Sequence, residues 1–197
     1  MKKPQPLQSG FTLVETLVAI LMLTLTMGAL FTLASGGLFS VRYARNQLVA
    51  NNLLQETIES VRNDRDTAVQ NNVPWDAWLG TYNVDTNGSM QDPGDLSSGC
   101  FSSNGCTVDS YAGTVKACST DSCQHLTFYP NSNFYGYESS YPGVQTNGAY
   151  STSYARKIQF VSTSNPDQYI VTGEIKWNNG TATKTLTQSM LLTKWQP

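Results

Sequence analysis

An uncharged apolar run near the N-terminus constrains this 197-residue chain more than any other feature. Residues 17–41, LVAILMLTLTMGALFTLASGGLFSV, contain no Asp, Glu, Lys or Arg. At a rise of about 1.5 Å per residue, about 25 helical residues cross a hydrocarbon layer roughly 30 Å thick with some tilt. The run therefore predicts a membrane-spanning helix, and it leaves roughly 125 to 155 residues for one folded domain beyond it.

A single carboxylate, Glu15, lies in the apolar sequence SGFTLVETLVAI at residues 9–20. An ionised carboxylate in hydrocarbon costs about 2.5–3.5 kcal/mol on membrane-insertion scales. No basic residue close in sequence can neutralise it, so Glu15 predicts a partner from elsewhere. Lys2 and Lys3 precede it and favour a cytoplasmic N-terminus, which places the rest of the chain on the far side of the membrane.

Two common explanations of such an N-terminus are a secretory signal peptide and a plain signal anchor. A signal peptide would be cut near the small residues at 34–37, but its apolar region would be too long and would contain Glu15. A signal anchor explains neither Gly10 nor Glu15. Both explanations therefore leave the sequence before the apolar run unaccounted for.

The sequence GFTLVE, from Gly10 to Glu15 and ahead of an uninterrupted apolar helix, resembles the class III leader of type IV prepilins and type II secretion pseudopilins. The resemblance implies that a membrane-embedded prepilin peptidase cuts after Gly10 and methylates the new amino terminus at Phe11. An α-amino group with a pKa near 7.7–8.0 is largely protonated at neutral pH. The resemblance thus supplies a partner for Glu15, the amino group of a neighbouring subunit, and such a pair favours one axial register.

The helix is predicted to continue past the membrane, from about Thr12 to about Asn71, because no proline lies between Pro6 and Pro74. Spacings of four, four and three predict one apolar face, made of Ala50, Leu54, Ile58 and Val61, with Asn52, Glu59, Asn63 and Asp66 elsewhere. Arg62 and Asp66 have the spacing of an i,i+4 ion pair.

The weak points of the helix are its glycines, Gly28, Gly36 and Gly37. The segment 53–66, with the tryptophans that follow it, also resembles a group of bacterial minor pilin-like proteins.

Beyond Pro74 the sequence changes to turns and alternating strands. Strands are predicted within 113–118, 124–129, 155–163, 167–178 and 181–195. Asn179-Gly180 predicts a type I′ hairpin, and the sequence NPD at 165–167 predicts another tight connection. Alternation puts one set of side chains on a single face, namely Tyr169, Val171, Ile175 and Trp177. That face can bury the outer half of the helix, so the predicted fold is α+β, a long helix on an antiparallel sheet, like a pilin head.

The predicted organisation has five parts. They are a cytoplasmic leader at 1–10, a transmembrane helix segment at 11–41, an amphipathic continuation at 42–72, an irregular loop region at 73–112 and an antiparallel sheet head at 113–197.

All the cysteines, Cys100, Cys106, Cys118 and Cys123, lie beyond the membrane segment. In an oxidising compartment an even count predicts two disulfides, with three possible connectivities. We favour Cys118 with Cys123, because CSTDSC can close across a hairpin loop, and this leaves Cys100 with Cys106. A zinc site helped by His125 is the alternative, but the cysteine spacings match zinc motifs poorly.

The remaining motifs do not require enzymatic or metal chemistry. A Ser-His-Asp triad would have to use His125, the single histidine. Asp85, Asn87 and Ser89 have the alternation of a calcium loop, yet Met90 and Leu96 occupy the usual glycine and glutamate positions, which favours an ordinary Asn-Gly turn. The Tyr-rich stretch 129–154 has the composition of an adhesive surface, but we favour a solvent-facing loop with packed tyrosines. We assign no catalytic residue, metal or cofactor.

The charge balance argues against nucleic acid as a partner. The net charge is −2, and setting Lys2 and Lys3 aside leaves 10 of the 12 basic residues against 14 acidic ones, a charge of −4.

The predicted function is that of a structural subunit of a type IV pilus-like filament. Its expected partners are other pilin or pseudopilin subunits, the prepilin peptidase, the inner-membrane assembly machinery and membrane lipid. We expect a single-pass inner-membrane protein with its head outside, extracellular once assembled. The alternatives are a pseudopilin of a type II secretion or competence system and a monomeric membrane-anchored binding or adhesion protein.

Overall fold

The computed structural model describes Gly10 and residues 12–92, 96–120, 123–137, 141–178, 180 and 182–195. Helix α1 is Leu13–Gln70 and helix α2 is Trp75–Gly80, with a short 3₁₀ turn at Gly99–Phe101. The strands are β1 Cys106–Asp109, β2 Thr114–Ala117, β3 His125–Tyr129, β4 Phe134–Gly136, β5 Tyr150–Ser162, β6 Gln168–Asn178 and β7 Thr183–Thr193. The α+β class with a long N-terminal helix and a C-terminal antiparallel sheet is confirmed.

The chain divides into two compact units, residues 1–45 and 46–197. The described part of the first unit is helical from Leu13 onward, and its apolar side chains are exposed. By length and composition α1 is capable of crossing a membrane, and the apolar stretch lies near the N-terminus. The first unit therefore presents an apolar helical surface, as the uncharged run predicts.

The second unit contains an antiparallel sheet built around β5. One side of β5 pairs with both β1 and β3, which in turn pair with β2 and β4, so that the order is β2-β1-β5-β3-β4. The other side of β5 pairs with β6, and β6 pairs with β7 along its full length. The connection at 163–167 contains the predicted tight turn, because the Gln168 N–H donates to the Asn165 carbonyl at 3.0 Å and the Asp167 N–H donates to Asn165 Oδ1 at 3.0 Å.

Residues 46–70 of α1 bury one face against this sheet. The predicted apolar face is confirmed, because Ala50, Leu54, Ile58 and Val61 are at most 4 % exposed. The predicted inward face of β6 is also confirmed, with Val171, Ile175 and Trp177 buried and Tyr169 partly buried. The core has two parts. One part of the hydrophobic core lies near the end of α1 and contains Trp75, Trp78, Tyr82 and Phe160. The other part contains Leu53, Leu126, Tyr154 and Trp177.

Three local predictions need correction. The region 73–112 is not wholly irregular, because it contains α2, the 3₁₀ turn and β1. The tryptophans of α2 pack into the core, and β1 is held by pairing with β2 and β5. Arg62 pairs with Glu59, three residues before it, at 2.7 Å rather than with Asp66, which pairs with Arg65. The last hairpin is present, but its final ladder pair is Asn178 with Thr183, which is wider than a two-residue turn; Asn179 lies outside the described residues.

Candidate functional site

The first turn of α1 is closed by Thr12. The Glu15 N–H donates to Thr12 Oγ1 at 3.3 Å and to the Thr12 carbonyl at 3.1 Å, and the Thr16 N–H donates to the same carbonyl at 3.2 Å. Thr12 therefore acts as an N-cap that satisfies otherwise unpaired helix N–H groups. Thr12 followed three residues later by Glu15 is also the spacing of a capping box. That spacing is a further sequence signal for the helix start, which the prediction from proline positions did not include.

Glu15 differs from every other polar side chain described between residues 13 and 41. Each hydroxyl in this stretch donates to a carbonyl three or four residues before it, at 2.8–3.0 Å, in Thr16, Thr24, Thr26, Thr32, Ser35 and Ser40. A threonine or serine bonded in this way carries no unmet donor into lipid. Within the described residues, the Glu15 carboxylate has no hydrogen-bond or ion-pair partner, and the side chain is exposed. The helix N-terminus offers it only the partial positive charge of the helix dipole.

Gly10 is exposed, and a Cβ built at this position would meet nothing within 4 Å. The predicted methylation site, Phe11, lies outside the described residues. Gly28, Gly36 and Gly37 lie inside α1 with open space beside them, so the helix continues through its predicted weak points.

The cysteines form two disulfides, Cys100 with Cys106 and Cys118 with Cys123. This is the pairing that the spacing favours, and all four residues are at most 7 % exposed. His125 lies at the start of β3 and is exposed. Within the described residues, no group of three or more His, Cys, Asp or Glu side chains is placed to hold a metal ion.

The loop considered for calcium is built as a turn. Asp85 Oδ1 accepts hydrogen bonds from the N–H groups of Asn87 at 2.8 Å and Ser89 at 2.9 Å. Gly88 has a φ of +87°, which favours glycine, and Val84 bridges Met90 across the turn. The Asp85 carboxylate thus holds its own backbone, as an ordinary Asx-type turn does.

A buried ionic network in the second unit was not identified from the sequence. Arg156, on β5, is 2 % exposed and donates Nη1 to Glu56 Oε1 at 3.1 Å, Nη2 to the Val108 carbonyl at 2.8 Å and Nε to Tyr137 Oη at 3.3 Å. Burial lowers the pKa of Arg156, but the charges of Tyr137 and Glu56 outweigh it and hold the pKa above its ordinary value. The sequence signal was a charged residue at an inward position of β5, between Tyr154 and Ile158.

Two carboxylates organise the rest of this unit. Asp109 accepts from the N–H groups of Tyr111 and Ala112 and from Tyr141 Oη. Asp64, on α1, accepts from Trp78 Nε1 and from Tyr82 Oη, each at 2.8 Å. Burial, and to a lesser degree the charge of Asp64, raises the pKa of Tyr82 well above its ordinary value. In both clusters donors and acceptors satisfy one another, an arrangement that positions loops and strands.

Comparison with known protein families gives a match at the N-terminus. Residues 6–31 match the family model described as the prokaryotic N-terminal methylation motif. No curated protein and no solved structure is significantly similar to the chain. The match covers Gly10, Thr12 and Glu15 and the first part of the apolar helix, so the matched segment includes the carboxylate that has no partner among the described residues.

Proposed function

We propose that this chain, a type IV pilin-like protein by its N-terminal motif and fold, is a structural subunit of a type IV pilus-like filament. Three features support the proposal: the methylation motif at residues 6–31, a long helix with an exposed apolar N-terminal part, and a disulfide-bonded antiparallel sheet. The motif indicates a structural pilin-type protein, a class of protein that is usually not enzymatic. A pseudopilin of a secretion or competence system would use the same chemistry.

The observation that carries the proposal is the isolation of Glu15. The neighbouring polar side chains of the apolar stretch are satisfied within the helix, whereas the Glu15 carboxylate has no partner among the described residues. An unpaired carboxylate in lipid is costly, and a cation from another subunit offsets that cost. The amino group of Phe11, released by cleavage after Gly10 and kept basic by methylation, is the cation proposed here.

Pairing of Glu15 with the amino group of Phe11 would favour one axial register between neighbouring subunits. A charge pair in a low-dielectric bundle is favourable only when the two groups are in contact, because each alone keeps its desolvation cost. Subunits displaced along the helix axis would leave both charges unpaired. Glu15 therefore acts as a positioning residue for filament assembly, and the partners are other pilin subunits within the membrane.

The proposed location is the inner membrane, with a single span and with the sheet unit outside the cytoplasm. Lys2 and Lys3 favour a cytoplasmic leader, and the two disulfides fit an oxidising compartment on the other side. The prepilin peptidase and the inner-membrane assembly machinery are the further partners that this location requires.

Processing is tested by the intact mass of the full chain co-expressed with a prepilin peptidase. We expect the product to lack residues 1–10 and to carry one methyl group on Phe11. Gly10→Val should stay uncut, since the scissile bond then follows a branched side chain. Cleavage within 34–37, or an unprocessed wild-type chain, would contradict the proposal and favour a signal peptide or a monomeric membrane anchor.

A further inference from the structure

The two sides of the sheet end in very different edge strands. On one side the outermost strands are β2, with four residues, and β4, with three. On the other side the outermost strand is β7, with 11 residues, which pairs with β6 from Thr183 to Thr193. Short edge strands are one way in which proteins prevent unwanted pairing, and β7 lacks this protection.

The free edge of β7 carries unmet backbone groups. In an antiparallel pair, alternate residues direct their N–H and C=O groups away from the partner strand. Among the described residues, no backbone or side-chain group accepts from or donates to that outer edge. The central sequence TLTQSMLL, residues 185–192, contains no charged residue, proline or glycine that would discourage a further strand.

The inward face of the sheet is incompletely covered at β7. Ile175 and Val171 on β6 are fully buried, but their cross-strand partners Leu186 and Met190 are only partly buried. A strand added beside β7 would place inward side chains against Leu186 and Met190 and complete their burial. The inward positions of the added strand should therefore be apolar.

The outward face supplies a second apolar contact. Val161, Ile170 and Leu191 lie opposite one another on β5, β6 and β7, and they are 45 %, 39 % and 56 % exposed. This row reaches the free edge at Leu191. A further strand would extend the row by one residue, and its outward side chain would cover part of Leu191.

The charged residues at the ends of β7 indicate which charge a partner strand should carry. Lys184 lies near the start of β7 and Lys194 directly follows it, and residues 183–195 contain no acidic residue. Lys194 also pairs with Asp167 at 3.7 Å. A second copy of β7, paired antiparallel about its centre, would bring Lys184 of one copy near Lys194 of the other, and like charges across strands are destabilising. A different strand with acidic ends fits better.

We propose that the free edge of β7 binds an extended segment of another polypeptide, which joins the sheet as an additional strand. The segment has apolar side chains at alternating positions and acidic residues at its ends. Backbone hydrogen bonds supply the binding, and the side-chain contacts at Leu186, Met190 and Leu191 supply the pattern recognised, as in other cases of strand addition.

The test uses the full chain in detergent micelles and a fluorescent eleven-residue peptide of alternating threonine and valine with glutamate at both ends. We expect saturable binding by anisotropy, and hydrogen exchange should slow in 183–193 when the peptide is added. A peptide with alternate amides N-methylated should fail to bind, because it cannot donate to the edge. Leu191→Ser should weaken binding about three- to tenfold, because it removes an apolar contact without adding charge, whereas the matched change Leu48→Ser on α1, at a residue 63 % exposed, should not.

Three results would overturn the proposal: no saturable binding of the peptide, equal binding of the N-methylated peptide, or protection of 183–193 that rises with protein concentration alone. The last result would identify a second copy as the occupant. The experiment requires neither cleavage after Gly10 nor a filament, so its failure is distinguishable from failure of the proposed function.

Discussion

Arg156 brings a guanidinium into the core of the second unit, where charge is usually excluded. Its three donor groups reach α1 through Glu56, β1 through the Val108 carbonyl and Tyr137 through its hydroxyl. Glu56 is 44 % exposed, so the pair combines a buried cation with a partly hydrated anion. One side chain thus connects the helix, two strands and a loop. Its removal should leave several hydrogen-bond acceptors without a donor.

Arg156→Met should lower the free energy of unfolding by about 2–4 kcal/mol. The change keeps side-chain volume but leaves the Val108 carbonyl and the Tyr137 hydroxyl without their donor, and each buried unsatisfied group costs about 1–3 kcal/mol. The matched control is Arg62→Met, which removes an exposed pair with Glu59 and should cost less than about 1 kcal/mol. Denaturant titration followed by tryptophan fluorescence checks both variants, and equal losses would contradict the structural role of Arg156.

Tyr82 should make the second unit sensitive to alkaline pH. Burial and then the Asp64 charge raise its pKa above the ordinary value of 10.0, so the folded state keeps a proton that the unfolded state releases near pH 10. This stabilisation is complete below about pH 10 and is lost as the pH rises above it. Melting temperatures measured between about pH 8 and 11 should fall at the alkaline end. Tyr82→Phe should show a shallower fall, and an identical slope in the variant would contradict this assignment.

At the scale of elements, the contact between α1 and the sheet depends on a small residue in β6. Gly173 lies on the inward face between Val171 and Ile175. A Cβ at this position would lie 3.1 Å from Leu54 Cδ1 and 3.3 Å from Ile58 Cδ1, closer than ordinary contact distance. The missing side chain therefore lets the apolar face of the helix lie close to the strand.

Gly173→Leu should destabilise the second unit by about 1–3 kcal/mol, because the added side chain must displace Leu54 and Ile58 from a packed interface. Thr172→Leu is the control, since it adds a similar side chain at the neighbouring position, which alternation places on the outward face. Thermal denaturation of both variants decides the point. A loss in Thr172→Leu as large as that in Gly173→Leu would show that the close approach of helix and strand is not the cause.

At the scale of the whole molecule, the sequence predicted the features that depend on local pattern. The long helix, the buried face of α1, the alternation in β6 and the cysteine pairing all follow from spacing over a few residues. Strands β1 and β4 were not predicted, because they have only four and three residues, too few to show a clear alternation. β4 pairs with β3 across a short connection, and β1 pairs with β2 and, through Cys106, with β5. The early start of β5, at Tyr150, lies in a segment whose Tyr, Ser and Gly content is equally typical of a loop.

The candidate site was predictable for a different reason. Glu15 contradicts the apolar pattern around it, and a local contradiction of that kind is visible in the amino-acid sequence alone. Arg156 is likewise a charged residue at an inward position of an otherwise apolar strand face. Its structural role, however, depends on hydrogen bonds to Glu56, a hundred residues earlier, and to Tyr137, nineteen residues earlier. The partners of Arg156 required the folded chain, whereas the proposed partner of Glu15 belongs to another chain.

The central claim is that Glu15 has its partner in another subunit, and filament incorporation of Glu15→Ala tests it most directly. The variant is expressed with a complete assembly system, and sheared filaments and membranes are compared by immunoblot. Thr16→Ala is the matched control, because it removes an adjacent polar side chain whose hydroxyl already bonds to the Leu13 carbonyl.

We predict that Glu15→Ala is cleaved after Gly10 and inserts into the membrane at least as well as wild type, because it no longer carries a carboxylate into lipid. It should then accumulate in the membrane fraction and be lost from sheared filaments, while Thr16→Ala and wild type enter them. Incorporation of Glu15→Ala as efficient as that of wild type, or a wild-type chain that never leaves the membrane fraction, would contradict the pairing of Glu15 with a neighbouring amino terminus.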